Sequence, residues 1–349
     1  MPRSPDETFM RAALAEARRG IGRVSPNPAV GAVLVQRRRI TAAGYHRATG
    51  LPHAEIECLA GIRNAALGSA TLYVTLEPCS TTGRTPPCTE AIVRAGVGRV
   101  VIGATDPNPL HCGRGIRRLR LAGIEVITGV LAAECSRMNE AFNKWIVTGK
   151  PFVIAKCGMS LDGRLTRSPQ EERWMTSPIA RRHAMRLRAQ VDAILIGAET
   201  LRQDDPRLTI RGIRGARQPW RVVLTRSGKL PPTAHLLADR FAERTLIYRR
   251  KTLAHVLTDL GRREITSVLI EGGGDVLGQA FDAHLIDKAQ FYLAPLLTGG
   301  PVFAVAGKGA DSTATGAYIA GVQFEKVGRD LLVTGYPQWS IEQFTAANV

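Results

Sequence analysis

His53, Glu55, Cys79 and Cys88 are the residues of this 349-residue chain whose types and spacing could do chemistry together. One imidazole and two thiolates make three zinc ligands, and a catalytic zinc site keeps its fourth position open for water. Glu55 stands two residues after His53. A helix opening just after Pro52 would set its carboxylate beside the metal without ligating it. So placed, it can take a proton from zinc-activated water and deliver protons to a ring nitrogen and a leaving amine.

A lone histidine or buried cysteine is more often plain core or surface. Four such residues in this order, with Pro78 before the first cysteine, are much harder to reach by chance. The order matches the zinc-deaminase signature His-x-Glu, then Pro-Cys-x-x-Cys, but eight residues separate Cys79 from Cys88 here. Cys88 follows Pro86 and Pro87 at an expected helix start, where the helix dipole favours the thiolate. Cys58 falls inside the preceding helix and reads as a small packing residue. His111 and Cys112 read as loop residues rather than ligands.

Strands and helices alternate around this constellation. Residues 29–36, 71–76, 97–103 and 124–127 read as strands, and 53–67, 87–95, 113–122 and 131–146 as helices. The last helix stops at Gly149 before Pro151, which sets a boundary between a unit at 1–149 and one at 150–349. The second unit alternates too. Strand-like runs lie at 151–157, 192–197, 220–225, 245–248, 267–271 and 289–293, with helices at 177–190 and 275–284 and a hairpin around Gly328 and Arg329. Both units therefore read as α/β layers.

In the second unit, Glu271-Gly272-Gly273-Gly274 follows a strand and opens a helix. Glycines there let backbone N–H groups approach phosphate oxygens. The third glycine of a G-x-G-x-x-G run is replaced by Leu277, so this is not a Rossmann fingerprint, and a simple strand-to-helix turn is the plain alternative.

The chain carries a net charge of +17. Its basic residues are scattered, as in Arg37-Arg38-Arg39 and Arg249-Arg250-Lys251, and aromatics are only 5%. Pockets for phosphorylated small molecules fit this better than a nucleic-acid surface. No apolar run approaches the ~20 residues of a membrane helix. Residues 1–20 lack a signal-peptide core, so a cytoplasmic chain is expected, with its six cysteines as thiols or metal ligands.

Ordered motifs then run through both units: Pro26-Asn27-Pro28-Ala29-Val30-Gly31, Gly44-Tyr45-His46, Pro52-His53-Ala54-Glu55, Thr75 to Cys79 and Gly83 to Cys88. Beyond these come Asp106 to Pro109, Gly113-Arg114-Gly115, Ser160 to Arg164, Trp174 to Ser177, Asp204-Asp205-Pro206 and Glu271 to Gly274. Through them the chain resembles the bifunctional deaminase–reductase family of riboflavin biosynthesis over nearly its whole length. The resemblance implies a cytidine-deaminase-like N-terminal domain and a dihydrofolate-reductase-like C-terminal domain. It implies zinc and NADPH as cofactors. It also implies a phosphorylated pyrimidine substrate, 2,5-diamino-6-ribosylamino-4(3H)-pyrimidinone 5′-phosphate, deaminated and then reduced from ribosyl to ribityl.

By the same resemblance Glu55 is catalytic and His53, Cys79 and Cys88 bind zinc. Gly158, Trp174, Thr200, Asp204, Gly273 and Gly274 lie along the cofactor. Glu172, Arg188, Leu208, Arg211 and Glu271 lie near the substrate of the second unit. In the first unit Asn27 and His46 are candidate substrate contacts and Arg84 a phosphate anchor, with a turn and a solvated charge as their plain alternatives. Two positions depart from the family. Thr81 stands where a histidine is usual, and His111-Cys112 replaces small apolar residues. Family members associate, so a homo-oligomer is expected, with neither nucleic acid nor membrane as partner. The competing expectations are a nucleobase or tRNA deaminase with an RNA-binding second domain, and a zinc-stabilised module without activity. A structural zinc would need a fourth ligand, and Glu55 would have no work to do.

Overall fold

The computed structural model describes residues 4–62, 67–81, 86–165 and 174–339. The chain divides into units at Met1–Gly149 and Lys150–Val349. In the first, α1 (Pro5–Arg18), β1 (Gly31–Gln36), β2 (Arg39–Tyr45), α2 (Ala54–Leu59), β3 (Thr71–Leu76) and α3 (Cys88–Arg94) lead to β4 (Arg99–Ala104), α4 (Arg114–Leu121), β5 (Glu125–Thr128), α5 (Ala132–Met138) and α6 (Glu140–Thr148). The strands form one sheet in the order β2-β1-β3-β4-β5. β1 is antiparallel to both β2 and β3, whereas β3, β4 and β5 run parallel.

Strand residues point alternately to opposite faces, and in β1 both faces are apolar. Ala32 and Leu34 join Leu72, Val74, Val100 and Ile102 under α2, α3 and α4, while Val33 and Val35 join Tyr73 and Val101 under α1 and α5. Each aliphatic side chain fully buried this way stabilises by about 1.5–3 kcal/mol. Two helices sit unusually close to the sheet, and glycines make that close approach sterically allowed. A Cβ on Gly31 would stand 2.1 Å from the Ala13 carbonyl of α1, and one on Gly44 would stand 2.4 Å from the Cys58 nitrogen of α2. Gly44 therefore seats the helix that carries Glu55.

The structure corrects two helices. The stretch 131–146 is two helices, broken at Asn139. The Asn139 amide accepts from Ala29 N–H at 2.7 Å and donates to Ala29 C=O at 3.0 Å. A side chain committed to another loop in this way bends its own backbone, here to φ −115°, ψ 24°. The helix expected over 53–67 ends at Leu59, just before Ala60 and Gly61. The strand β2 went unread because its residues are mostly exposed and begin among arginines.

The second unit contains β6 (Phe152–Ser160), α7 (Pro178–Arg188), β7 (Ala193–Gly197), α8 (Ala198–Asp204), β8 (Trp220–Thr225), α9 (His235–Ala238) and β9 (Thr245–Arg249). These are followed by α10 (Leu253–Arg262), β10 (Ser267–Glu271), α11 (Gly274–Asp282), β11 (Lys288–Ala294), β12 (Tyr318–Val327) and β13 (Asp330–Gln338). Its sheet runs β12-β13-β11-β6-β10-β7-β8-β9. The six strands from β11 to β9 are parallel, and β13 and β12 close one end as an antiparallel hairpin. Residues of α10 and α11 pack on Val153, Leu195, Val222 and Ile270 of the central strands. Ala180 and Ala184 of α7 pack with Tyr292 and Leu332. Among the described residues no helix is long and apolar enough to cross a membrane.

Candidate active sites

In the first unit three element ends converge. His53 caps α2, Cys79 follows β3, and Cys88 is the first residue of α3 after Pro87. His53 Nδ1 lies 3.6 Å from Cys79 Sγ and 3.3 Å from Cys88 Sγ. Zinc at ordinary bond lengths in a tetrahedron spaces a nitrogen and a sulfur ligand by about 3.6 Å, so this donor set fits the ion. Among the described residues it is the one group of three such ligands, all within 4.8 Å of one another. Cys58 takes no part. It is buried in the core, and burial pushes its thiol up to about 12.

The electrostatics suit a cation. Cys79 is drawn down to about 4, first by Cys88 beside it and, against burial, by His53, whose own basicity Cys79 raises. Cys79 Sγ also accepts from the N–H of Cys88, the first residue of α3, at 3.3 Å, while Cys79 beside it and burial hold the Cys88 thiol well above its usual range. Glu55 is buried at 3% exposure in the first turn of α2. Burial, and next the Cys79 charge, push its carboxyl up to about 7.

Asn27 and His46 are brought together behind His53. His46 Nδ1 lies 3.0 Å from the Pro52 carbonyl, and its Nε2 lies 3.1 Å from Asn27 Nδ2. A carbonyl only accepts, so Nδ1 carries the proton and Nε2 accepts from the Asn27 amide. His46 is buried, and burial lowers its basicity, so it stays neutral; its ring meets His53 edge-on at 5.3 Å. The Asn27 loop is in turn hooked by Asn139 two residues on. Arg84 lies outside the described residues.

Sequence reasoning missed Glu77. Its buried carboxylate accepts from the N–H groups of Asp106, Gly113, Gly115 and Ile116 at 2.9–3.2 Å. A negative group at the start of α4 is favoured by the helix dipole, and this one ties the 106–115 loop beside Cys79. Gly115 is required there, since a Cβ would stand 2.1 Å from the Pro78 carbonyl. The signal was a glutamate directly before Pro-Cys with a glycine pair downstream. Thr81 Oγ1 lies 3.4 Å from His111 Nδ1, so the two departures from the family pattern meet in space.

The second unit has a cleft of about 210 Å³ at the carboxyl ends of β6, β7 and β10. Gly158, Trp174, Thr200, Asp204, Gly273, Arg188, Leu208 and Glu271 all line it. Gly274 and Arg211 do not. Gly274 abuts residue 303, where a Cβ would stand 2.1 Å from the Phe303 carbonyl, and Arg211 is exposed. Glu172 lies outside the described residues. Gly272 and Gly273 take φ +81° and +69°, and a Cβ on Gly273 would meet the Thr200 hydroxyl at 2.9 Å.

Arg188 forks onto Glu271, Nε to Oε1 at 2.9 Å and Nη2 to Oε2 at 2.5 Å. Burial alone would raise the Glu271 carboxyl, but Arg188 and Lys156 outweigh it and hold it near 2. Lys156 also lies 5.8 Å over the Tyr292 ring, whose hydroxyl hydrogen-bonds His183 Nδ1 at 2.7 Å.

Residues 3–104 match the cytidine and deoxycytidylate deaminase zinc-binding region, and 151–333 match the RibD C-terminal domain. The riboflavin biosynthesis protein RibD of Synechocystis sp. is 40% identical over 95% of this chain and 96% of its own. The chain belongs to the RibD family. Among solved members, Acinetobacter baumannii RibD superposes with a TM-score of 0.88 at 34% identity, covering 96% of this chain and 99% of its own. A diaminohydroxyphosphoribosylaminopyrimidine deaminase/5-amino-6-(5-phosphoribosylamino)uracil reductase from Thermotoga maritima gives 0.86 at 33% identity with the same coverage. The expected cytidine-deaminase-like and reductase domains are thus those of RibD proteins, and the mixed α/β architecture is theirs.

Proposed function

We propose that this chain performs two successive reactions on one phosphorylated pyrimidine, with deamination in residues 1–149 and reduction in residues 150–349. It is a bifunctional deaminase and reductase of riboflavin biosynthesis, with zinc and NADPH as its cofactors. The substrate is 2,5-diamino-6-ribosylamino-4(3H)-pyrimidinone 5′-phosphate, in line with the activities named for the Thermotoga maritima relative. One observation carries the first half: three zinc donors within 4.8 Å of one another with the buried Glu55 carboxyl beside them.

His53, Cys79 and Cys88 would hold zinc, which supplies Lewis-acid activation of a water. Glu55, buried in the first turn of α2 beside these donors, would take a proton from the attacking water and return protons to the ring nitrogen and the departing amine. Asn27, oriented by neutral His46, reads the ring amide, and Arg84 anchors the phosphate. NADPH supplies hydride to the second unit. There Gly158, Trp174, Thr200, Asp204 and Gly273 carry the cofactor reading, and Arg188, Leu208 and Glu271, with Glu172 from outside the described residues, the substrate reading; Gly274 and Arg211, which do not line the cleft, drop out of both. The Arg188–Glu271 pair fixes one wall of the cleft in a single geometry. The reading of the chain as a nucleobase or tRNA deaminase with an RNA-binding domain is not favoured, since residues 151–333 match a RibD reductase domain.

Turnover of the pyrimidine substrate with zinc and NADPH tests this. Ammonia release precedes NADPH oxidation. No NADPH oxidation, even with substrate already deaminated, would remove the reductase half.

A further inference from the structure

The cleft of the second unit owes part of its wall to the chain that leaves α8, where Asp204, Pro206 and Leu208 line it. This short stretch has a costly backbone. Asp205 takes φ +39° and Leu208 φ +49°, left-handed angles at two residues that are not glycine. Aspartate tolerates that region, but leucine crowds its own carbonyl there. Such a conformation persists only where its surroundings impose it.

The imposing groups stand outside the cleft. Arg221 of β8 is fully buried, and all of its guanidinium nitrogens donate. Nη1 and Nη2 fork onto Asp239 at 2.7 and 2.9 Å. Other bonds go to Thr245 Oγ1 at 3.1 Å, to the Leu236 carbonyl at 3.0 Å and to the Arg207 carbonyl at 3.3 Å. Arg207 lies between the two left-handed residues. The start of α9 grips the same stretch: the His235 backbone N–H donates to Asp205 Oδ1 at 2.8 Å, and the imidazole Nδ1 lies 2.6 Å from Asp205 Oδ2. His235 Nε2 lies 3.2 Å from Arg207 Nη2. A guanidinium only donates, so Nε2 accepts and Nδ1 carries its proton toward Asp205. A buried ion pair is a weak source of net stability, because desolvation offsets its Coulomb gain. What a fully satisfied fork does supply is one fixed geometry.

We propose that Arg221 and His235 are positioning residues for the reduction. Neither lines the cleft; together they brace residues 205–208 in the conformation that receives the pyrimidine. The inference rests on reading this cleft as the reductase site and adds what keeps its wall in shape. Released from the brace, the strained stretch relaxes toward ordinary backbone angles, and only the fraction of molecules that keeps the native conformation binds. Apparent affinity falls by that fraction, while turnover of the bound complex is unaffected.

The test is NADPH oxidation by the full chain with pre-deaminated substrate, for wild type, His235→Ala, His235→Asn and Arg221→Lys. Ammonia release by the first unit is the internal reference, and each variant is also melted thermally. His235→Ala removes a partly exposed latch. It should raise KM for the pyrimidine about tenfold, the scale of one hydrogen bond to a charged group, with kcat unchanged. His235→Asn, whose amide nitrogen can replace Nδ1 as donor, should recover most of that loss. Arg221→Lys keeps a charge beside Asp239 but lacks the fork that reaches Arg207, and should raise KM further. Ammonia release stays at the wild-type level in all three. A merely structural role would lower the folded fraction instead: kcat would fall along with the melting temperature while KM held, and that result would overturn the proposal. So would an unchanged KM in His235→Ala, which decides the matter if Arg221→Lys does not fold. A wild type that oxidises no NADPH would overturn the reductase reading itself, and this inference with it.

Discussion

In the first unit the reactive groups are side chains, three metal donors gathered within 4.8 Å around a buried carboxyl. In the second the cleft is walled by left-handed glycines and by an ion pair that neutralises itself. The first site must generate a nucleophile and move protons, so it stores perturbed titratable groups. The second receives its reducing equivalent ready-made, so its residues shape, orient and discriminate. The first is therefore sensitive to single side chains, the second to packing and charge balance.

The largest expected effect breaks the metal site. Cys88→Ser removes a thiolate donor at the start of α3. Elemental analysis should then show zinc at background, with ammonia release lost and reduction of pre-deaminated substrate retained. Retained zinc would mean that another group completes the site. Next comes Glu271→Gln, which strands the buried Arg188 and should destabilise the second unit by about 3 kcal/mol. The same pair gives a pH signature. The folded Glu271 carboxyl lies near 2, below the usual carboxylate range. Its contribution is therefore fully present above the unfolded value and lost as pH falls from about 4.5 toward 2. Denaturant melts of wild type and Glu271→Gln should converge across that window. Parallel curves would show that the pair does not couple to folding.

Two glycine variants sharpen the contrast. Gly115→Ala and Gly274→Ala each force a Cβ to within 2.1 Å of a backbone carbonyl, at Pro78 and Phe303 respectively, at a cost of about 1–3 kcal/mol. Gly115→Ala should depress ammonia release alone and Gly274→Ala NADPH oxidation alone. If either variant depressed both rates, the two sites would not be separable in this way. The smallest effect is expected from Thr81→His, which changes one exposed contact to His111. It should shift the deaminase KM within about tenfold, the range of one neutral hydrogen bond, and leave kcat unchanged. An unaltered KM would show the substitution at this position to be neutral.

The zinc constellation was legible because its ligands sit at element ends marked by proline and by short motifs. Most strands were legible as β-branched runs with their breakers. What stayed hidden was set by distant partners. The break at Asn139 depends on Ala29, 110 positions away, and local helical patterning runs through it. The role of Glu77 depends on four N–H groups some 30–40 residues on. The helix α10 did carry local signals, a Thr252 cap and apolar residues at 253, 256, 257 and 260, which a closer reading of period 3.6 would have found.

The most direct test of the account is Glu55→Gln, followed by both readouts on one preparation. The account predicts that zinc stays bound and that ammonia release falls by about 10²–10⁴-fold, the usual worth of a general acid–base. NADPH oxidation with pre-deaminated substrate should continue at the wild-type rate. Ammonia release that survives this substitution would contradict the central claim.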